Sequence, residues 1–159
     1  MSDYFLDASV LVKRYTVEPG STWLVSVTDL PAHAILVAEI TLAEVAAGLA
    51  SKQRAHGGIR IEERDRALSR FLQDCDERFL LLPVDRYVIE LAVELTQRHR
   101  LRGYDAVQLA TALVANRDLI EARHPPLIFV ASDTDLLAAA QMEGLPTENP
   151  VDHRAAEED

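Results

Sequence analysis

The sequence predicts an α/β protein with a central, mostly parallel sheet flanked by helices. Two observations predict this class. Short apolar runs rich in β-branched residues alternate with longer segments in which apolar residues recur at helical spacing. Strands that alternate with helices are joined by right-handed crossovers, so the strands run parallel and helices cover both faces. With 159 residues the chain suits one domain, which we predict at residues 1–150.

Four segments have the length and composition of buried strands. Each is a short apolar run bounded by polar or turn-forming residues, and the last run shows the pattern most strongly because Pro125 and Pro126 precede it. The predicted strands are residues 4–6, 34–38, 79–84 and 127–131.

The segments between the strands have the apolar spacing of amphipathic helices. Glycine or proline residues at 19–20, 57–58 and 103 divide these segments into separate helices. The predicted helices begin near residues 8, 21, 41, 60, 85, 104 and 136. The last residues, 151–159, are polar and acidic, and we expect them to form a disordered tail.

Composition and charge restrict the possible functions. The formal net charge of -10 argues against a broad basic surface that binds nucleic acid without selectivity, although it allows a local basic strip. No apolar run approaches the roughly 20 residues of a membrane span, and the first residues lack the basic segment of a signal peptide. The predicted location is therefore the cytoplasm. The single cysteine, Cys75, excludes an internal disulfide and a cysteine-cluster zinc site.

Four acidic residues occupy related places in this pattern. Asp7 and Asp133 each follow a predicted strand directly, whereas Glu44 and Asp105 each lie in the first turn of a predicted helix. The carboxyl ends of parallel strands lie at the same edge of a sheet, and residues in the first turn of a helix can reach that edge. We therefore expect all four side chains there. Each also has a purely structural explanation. The strand-end aspartates suit helix N-caps, Thr41 and Glu44 match a capping box, and Asp105 suits a helix N-terminus.

A cluster of four carboxylates implies a bound cation. Like charges close together raise one another's pKa and cost stability unless a cation neutralises them. Oxygen-only ligands suit Mg²⁺ or Mn²⁺, and no His or Cys pair has the spacing of a zinc site. A hard divalent cation at this edge would serve phosphodiester hydrolysis.

The motifs around these acidic residues resemble those of PIN-domain nucleases, and the compact size resembles the VapC-type toxins of toxin–antitoxin pairs. The motifs, in chain order, are Asp7-Ala8-Ser9, Thr41-x-x-Glu44-x-x-x-Gly48-Leu49, Tyr104-Asp105-Ala106 and Val130-Ala131-Ser132-Asp133. The resemblance covers about residues 3–148. It implies a PIN-like three-layer sandwich with a metal-dependent endoribonuclease activity.

The resemblance also implies the roles of the site residues and the partners. The catalytic and metal-binding residues, for Mg²⁺ or Mn²⁺, would be Asp7, Glu44, Asp105 and Asp133. The substrate would be RNA, cleaved to a 3′-hydroxyl and a 5′-phosphate. The partners would be a small antitoxin and a second copy of the chain in a homodimer.

Further residues are predicted around this acidic core. Ser9, Ser132 and Asp135 are expected to support the acidic side chains. Many relatives carry Thr or Ser at the position of Ala131, so here the hydroxyl is either supplied by Ser132 or absent. Four basic residues are expected to contact RNA phosphates or to remain solvated charges: Lys13, Arg14, Lys52 and Arg54.

Two other functions compete with the nuclease. The first is a catalytically silent PIN-like module that binds a partner, in which the acidic residues are only helix caps. The second is a Mg²⁺-dependent phosphoryl-transfer domain, which also uses strand-end aspartates. The sequence supports this second alternative poorly, because Ser9 stands where a dehalogenase-like phosphatase carries an aspartate, and no lysine follows Lys52.

Overall fold

A computed structural model describes residues 2–156 of the protein. Within these residues, five strands form one parallel sheet in the order β3-β2-β1-β4-β5. The strands are β1, Asp3–Leu6; β2, Ala34–Ala38; β3, Leu80–Leu82; β4, Ile128–Val130; and β5, Thr147–Glu148. The predicted parallel α/β architecture is confirmed. The sequence did not indicate β5, because two polar residues carry no strand pattern.

Seven α-helices lie in the described part of the chain, at the places where the apolar spacing predicted them. They are α1, Ala8–Tyr15; α2, Ser21–Thr28; α3, Thr41–Arg54; α4, Ile61–Glu77; α5, Arg86–Arg98; α6, Gly103–Glu121; and α7, Thr134–Met142. None of the helices described is both long enough and apolar enough to cross a membrane.

The sheet separates two hydrophobic cores. Successive residues of a strand point to opposite faces, so Phe5 and Leu6 of β1 enter different cores. Helices α1 to α4 pack around Leu6 on one face, and α5 to α7 pack around Phe5 on the other. This arrangement gives the three layers that the family resemblance implied.

The carboxyl ends of β1 and β4 lie side by side. Leu6 pairs with Val130 in the sheet register, and the Asp7 N–H donates to the Val130 carbonyl at 3.0 Å. On the other side of β4, the Ala131 N–H donates to the Glu148 carbonyl at 3.2 Å. The helices that follow these strands, α1 and α7, therefore begin at the same edge of the sheet.

The chain beyond β5 folds back onto α2. Residues Pro150–Ala156 form a 3-10 helix, and the His153 ring stacks on Trp23 with 4.3 Å between centroids. The His153 Nε2 atom also lies 2.9 Å from Oε2 of Glu148. The sequence predicted a disordered tail from residue 151, and in the described part of that tail ring stacking and a hydrogen bond hold His153 in place. Residues 157–159 of that tail lie outside the described residues.

Replacing Gly20 by alanine should destabilise the protein more than replacing Gly144. Both glycines have a positive φ, +91° and +90°, and an added Cβ would lie 2.7 Å from the Pro150 carbonyl carbon at Gly20 but would meet nothing within 4 Å at Gly144. We expect Gly144→Ala to lower the free energy of unfolding by about 1 kcal/mol through backbone strain, and Gly20→Ala by about 3 kcal/mol. Urea denaturation measures both, and equal losses would contradict the close contact between Gly20 and the 3-10 helix.

Candidate active site

Asp7 is a buried carboxylate at the end of β1. It is 5% exposed and forms the N-cap of α1. Its Oδ2 atom accepts hydrogen bonds from the Ser9 backbone N at 3.2 Å and from Ser9 Oγ at 2.6 Å. The side chain of Ser9 therefore holds one oxygen of the Asp7 carboxylate in place.

Asp133 occupies the equivalent position after β4. Its Oδ1 atom accepts a hydrogen bond from the Leu136 backbone N at 2.9 Å, which caps α7, and its side chain is exposed. Asp105 is half-buried in the first turn of α6. The N-cap residue of α6, Arg102, makes no side-chain capping bond. The two strand ends and the start of α6 thus each present a carboxylate.

Glu44 is half-buried in the first turn of α3 and binds an amide from another helix. The Gln108 Nε2 atom in α6 donates to Glu44 Oε1 at 3.0 Å and to Thr41 Oγ1 at 2.7 Å. The capping box suggested by Thr41 and Glu44 does not form, since the N-cap of α3 is Ile40, which makes no side-chain capping bond. Both residues bind Gln108 because the fold brings α6 against this end of α3.

The four carboxylates act on one another electrostatically. Burial raises the pKa of Asp7, hydrogen bonds from Ser9 oppose this, and the nearby Asp105 raises the pKa further. Burial also raises the pKa of Glu44, and both Asp7 and Asp105 add to that rise. Burial raises the pKa of Asp105, with a second contribution from Asp133. The structure therefore links all four acidic residues that the sequence analysis placed at one edge of the sheet.

The donor chemistry of this set fits a hard divalent cation. All four side chains offer carboxylate oxygens, and a bound cation would relieve their mutual repulsion. Over residues 2–156, no three His, Cys, Asp or Glu side chains converge closely enough to hold an ion as they stand. Their oxygens accept hydrogen bonds from Ser9, Gln108 and the backbone of α7 instead. An ion would have to draw the side chains together, and the metal site stays a prediction.

Replacing Asp7 by asparagine should stabilise the protein in the absence of metal. The pKa of Asp7 is raised above its ordinary value of 3.8, so the folded state binds this proton more tightly than the unfolded chain does. The free energy of unfolding therefore falls as the pH rises from that ordinary value through the raised pKa, and the full loss applies above it. We expect Asp7→Asn to raise this free energy by about 1 kcal/mol at neutral pH in EDTA.

Urea denaturation in EDTA at neutral pH and at about pH 4 checks this expectation, because near pH 4 the gain should largely vanish. Asp85→Asn is the matched control. Asp85 is an N-cap of α5 that accepts from the Val88 backbone N at 3.0 Å. It therefore caps a helix as Asp7 does, but it is exposed rather than buried. A destabilised Asp7→Asn protein at neutral pH would contradict the assignment of a buried, repelled carboxylate.

The two further residues predicted after β4 do not bind the carboxylates in this structure. The Ser132 Oγ atom is buried and has no hydrogen-bond partner among the described residues. Asp135 is exposed in the first turn of α7. Buried hydroxyls are rarely left unpaired, so the environment of Ser132 is unusual. The supporting roles of these two residues stay predictions.

Arg14 is a structural residue in this fold. Its side chain is 6% exposed, and its guanidinium donates to Thr28 Oγ1 at 2.7 Å and Asp29 Oδ1 at 2.8 Å. A further ion pair joins it to Asp74 at 3.4 Å. The prediction that Arg14 contacts RNA is therefore corrected, because its charge is buried between α1, α2 and α4.

The other predicted RNA contacts lie away from Glu44. Lys13 and Lys52 both approach Oε1 of Glu18, at 3.9 and 3.0 Å. Arg54 is exposed at the last turn of α3, about 15 Å along the helix from Glu44 at 1.5 Å per residue. Lys52 and Arg54 thus occupy the opposite end of α3 from the acidic set.

Two residues beside the carboxylates were not predicted. Arg102 is exposed, and its charge lowers the pKa of Asp105. Gln108 is fully buried although it is polar. The available signal for Gln108 was a polar side chain one helical turn after Asp105 in an otherwise apolar stretch.

The parallel sheet and the acidic residues at its carboxyl edge define a class of α/β protein whose site lies at the strand ends. The family model described as "PIN domain" matches residues 4–144 of the sequence. The chain belongs to the PIN-domain family, as its motifs indicated.

Solved structures share this fold. A toxin–antitoxin complex from Klebsiella pneumoniae has a chain with a TM-score of 0.60 and 20% identity, covering 92% of this chain and 97% of that chain. VapBC2 from Rickettsia felis, bound to a promoter DNA fragment, has a TM-score of 0.60 and 19% identity, covering 92% of this chain and 98% of that chain. FitAcB from Neisseria gonorrhoeae has a TM-score of 0.58 and 20% identity, covering 92% of this chain and 97% of that chain. At these identities the likeness establishes the fold. Among curated proteins, none gives a significant match.

Proposed function

We propose that the protein is a divalent-cation-dependent endoribonuclease. The observation that carries the proposal is the placement of the acidic set: Asp7 and Asp133 follow the adjacent strands β1 and β4, and Glu44 and Asp105 lie in the first turns of α3 and α6. Carboxyl groups with raised pKa values at such an edge are destabilising, and proteins retain them chiefly at functional sites. Membership of the PIN-domain family supports the same activity.

Each residue has a defined part in the proposed reaction. Asp7, Asp105 and Asp133 would hold Mg²⁺ or Mn²⁺, and Glu44 would complete the site or accept the proton of the attacking water. When bound, a divalent cation neutralises charge on the phosphate and lowers the pKa of water. Ser9 keeps Oδ2 of Asp7 oriented through its hydrogen bonds. Attack of water on phosphorus breaks the bond to the 3′-oxygen, which leaves with a proton, and a 5′-phosphate remains.

Charge supports a local rather than a broad RNA contact. The protein is acidic overall, with a net charge of -10, so RNA binding needs basic residues close to the site. Arg102 is exposed and lies within electrostatic reach of Asp105. We assign it to a phosphate next to the bond that is cleaved, in place of the buried Arg14.

We further propose that the enzyme is the toxin of a toxin–antitoxin pair. The fold is shared with chains of a toxin–antitoxin complex and of VapBC2, which supports a small antitoxin as partner. Homodimerisation and a cytoplasmic location belong to the same proposal. Expression of the chain should arrest growth, and Asp7→Asn should relieve the arrest. Light scattering of the purified protein measures its oligomeric state.

Cleavage of a panel of labelled RNAs by the purified protein tests the enzymatic proposal. We expect cutting in Mn²⁺ or Mg²⁺, none in excess EDTA, and products with a 5′-phosphate. Absence of cutting, together with no thermal shift on adding Mn²⁺, would overturn the proposal in favour of a silent binding module. Transfer of a phosphoryl group from a small donor, without RNA cleavage, would favour the phosphoryl-transfer alternative.

A further inference from the structure

Gln108 connects two helices that carry acidic residues of the site. It is fully buried in α6, one turn beyond Asp105. Its Nε2 atom donates to Thr41 Oγ1 at 2.7 Å and to Glu44 Oε1 at 3.0 Å. Both acceptors lie in the first turn of α3, so a single amide group uses its two N–H bonds on one helix end.

The helices joined by this amide belong to different layers of the fold. The apolar side of α3 packs on one face of the sheet through Val45 and Leu49. The apolar side of α6 packs on the other face through residues such as Leu109. Gln108 therefore ties the two layers together at the edge where the site lies. Glu44 and Asp105 stand on these two layers, so the tie joins the helices that carry them.

The orientation of the amide follows from its partners. A carboxylate only accepts hydrogen bonds, so the nitrogen of Gln108 must face Glu44. The Gln108 Oε1 atom is then buried without a partner among the described residues. An unsatisfied buried carbonyl destabilises the fold, and a methionine of similar length would avoid that loss. Core packing alone therefore does not account for a glutamine at this position.

The Gln108 bond also leaves one oxygen of the Glu44 carboxylate free. Oε1 accepts the amide hydrogen bond, whereas Oε2 has no hydrogen-bond donor among the described residues. The carboxylate is thereby held with one oxygen anchored and one oxygen free. Because the two oxygens are chemically equivalent, the bond fixes the position and plane of the carboxylate rather than choosing between its oxygens.

We propose that Gln108 is a positioning residue that holds the Glu44 carboxylate across the edge of the sheet, with one carboxylate oxygen anchored and the other left for the site. The catalytic consequence rests on the proposed nuclease function. The hydrogen bond itself does not, and it is tested separately.

The first test observes the hydrogen bond directly. In ¹H–¹⁵N spectra of the full-length protein in EDTA, the Gln108 side-chain amide is assigned by its loss in Gln108→Met. We expect slowly exchanging amide protons that shift in Glu44→Ala and, separately, in Thr41→Val. Unchanged Gln108 amide signals in Glu44→Ala would overturn the proposal. If Gln108→Met does not fold, through-bond assignment of the wild-type spectrum supports the same comparison.

The second test separates positioning from binding in RNA cleavage. We expect Gln108→Met to lower kcat by tenfold to a hundredfold, as is typical when a residue that orients a site carboxylate is lost, with an unchanged KM. Gln108 is buried and touches no substrate, which is why KM should not move. Gln141→Met is the matched control, because it removes an exposed glutamine-to-threonine bond of 2.8 Å at the far end of α7.

The outcomes distinguish this proposal from the proposed function. A wild-type kcat in Gln108→Met would overturn the positioning role, as would an equal loss in Gln141→Met. If the wild type cuts no RNA, the nuclease proposal fails, and the spectra alone decide whether Gln108 holds Glu44.

Discussion

Replacing Asp7 by asparagine is expected to lower kcat for RNA cleavage by about a thousandfold or more, equivalent to about 4 kcal/mol of transition-state stabilisation. Asp7 is the most deeply buried of the four carboxylates, and its charge interacts with Asp105 and Glu44. Asparagine keeps the shape of the side chain and its ability to cap α1 but removes the negative charge. Single-turnover cleavage of a labelled RNA in Mn²⁺ measures the loss.

The control for this experiment is another aspartate that caps a helix. Asp85 accepts from the Val88 backbone N at 3.0 Å, and Asp85→Asn should retain wild-type kcat. Asp105→Asn should reproduce the loss seen in Asp7→Asn, since Asp105 is coupled to both Asp7 and Asp133. Cleavage within tenfold of wild type by Asp7→Asn would contradict the assignment of the acidic set as the active site.

The two expectations for Asp7→Asn have opposite signs. The same substitution should raise the free energy of unfolding in EDTA and nearly abolish cleavage. Such an opposition is typical of active-site carboxylates, which are placed for chemistry at the expense of stability. If Asp7 served only as an N-cap, Asp7→Asn would reduce cleavage only slightly and would not raise the free energy of unfolding. The pair of measurements therefore separates a functional Asp7 from a capping one.

Truncating Phe129 to alanine should be among the most destabilising changes in the sheet. Phe129 is fully buried in β4, is paired with Phe5 of β1 in the register, and stacks on it with 5.5 Å between ring centroids. The substitution removes most of a buried ring and leaves a cavity, which costs about 4 kcal/mol. Urea denaturation should show this loss, and the thermal midpoint should fall by roughly 10 °C.

Tyr87 supplies the surface control for this prediction. It is 53% exposed on α5, where its hydroxyl accepts a 3.2 Å hydrogen bond from Arg117. Tyr87→Ala should lower the free energy of unfolding by less than about 1 kcal/mol, since little apolar surface is returned to water. A Phe129→Ala protein as stable as Tyr87→Ala would show that the face of the sheet packed by α5 to α7 repacks without a cavity.

The positions of Asp7 and Asp133 could be predicted because they depend on local signals. An apolar run that stops at an aspartate predicts both the strand end and the helix cap, and both caps are present. Placing both aspartates together needed only the general rule that the carboxyl ends of parallel strands lie at the same edge of a sheet. Electrostatic coupling through Asp105 then links these two aspartates in the structure.

The interpretation of Thr41 and Glu44 as a capping box was wrong because the sequence describes only nearby partners. The true partner of both residues is Gln108, which lies 64 positions beyond Glu44. Arg14 shows the same limitation, since its helical position indicated a surface charge while its guanidinium is buried against Asp29 and Asp74. No local pattern predicts a partner that lies far away in the sequence.

The sequence by itself determined the class of fold, the strands β1 to β4, the family and the acidic residues at the strand ends. The fold class and the strands follow from apolar periodicity and the strand-end aspartates from helix caps, which act over a few residues, whereas the family followed from the resemblance of its motifs. The tertiary structure decided that Gln108 binds Glu44, that Arg14 is buried and that the 3-10 helix packs on Trp23. Each of these depends on contacts between segments far apart in the chain, whose geometry is set only when the two cores close on the sheet.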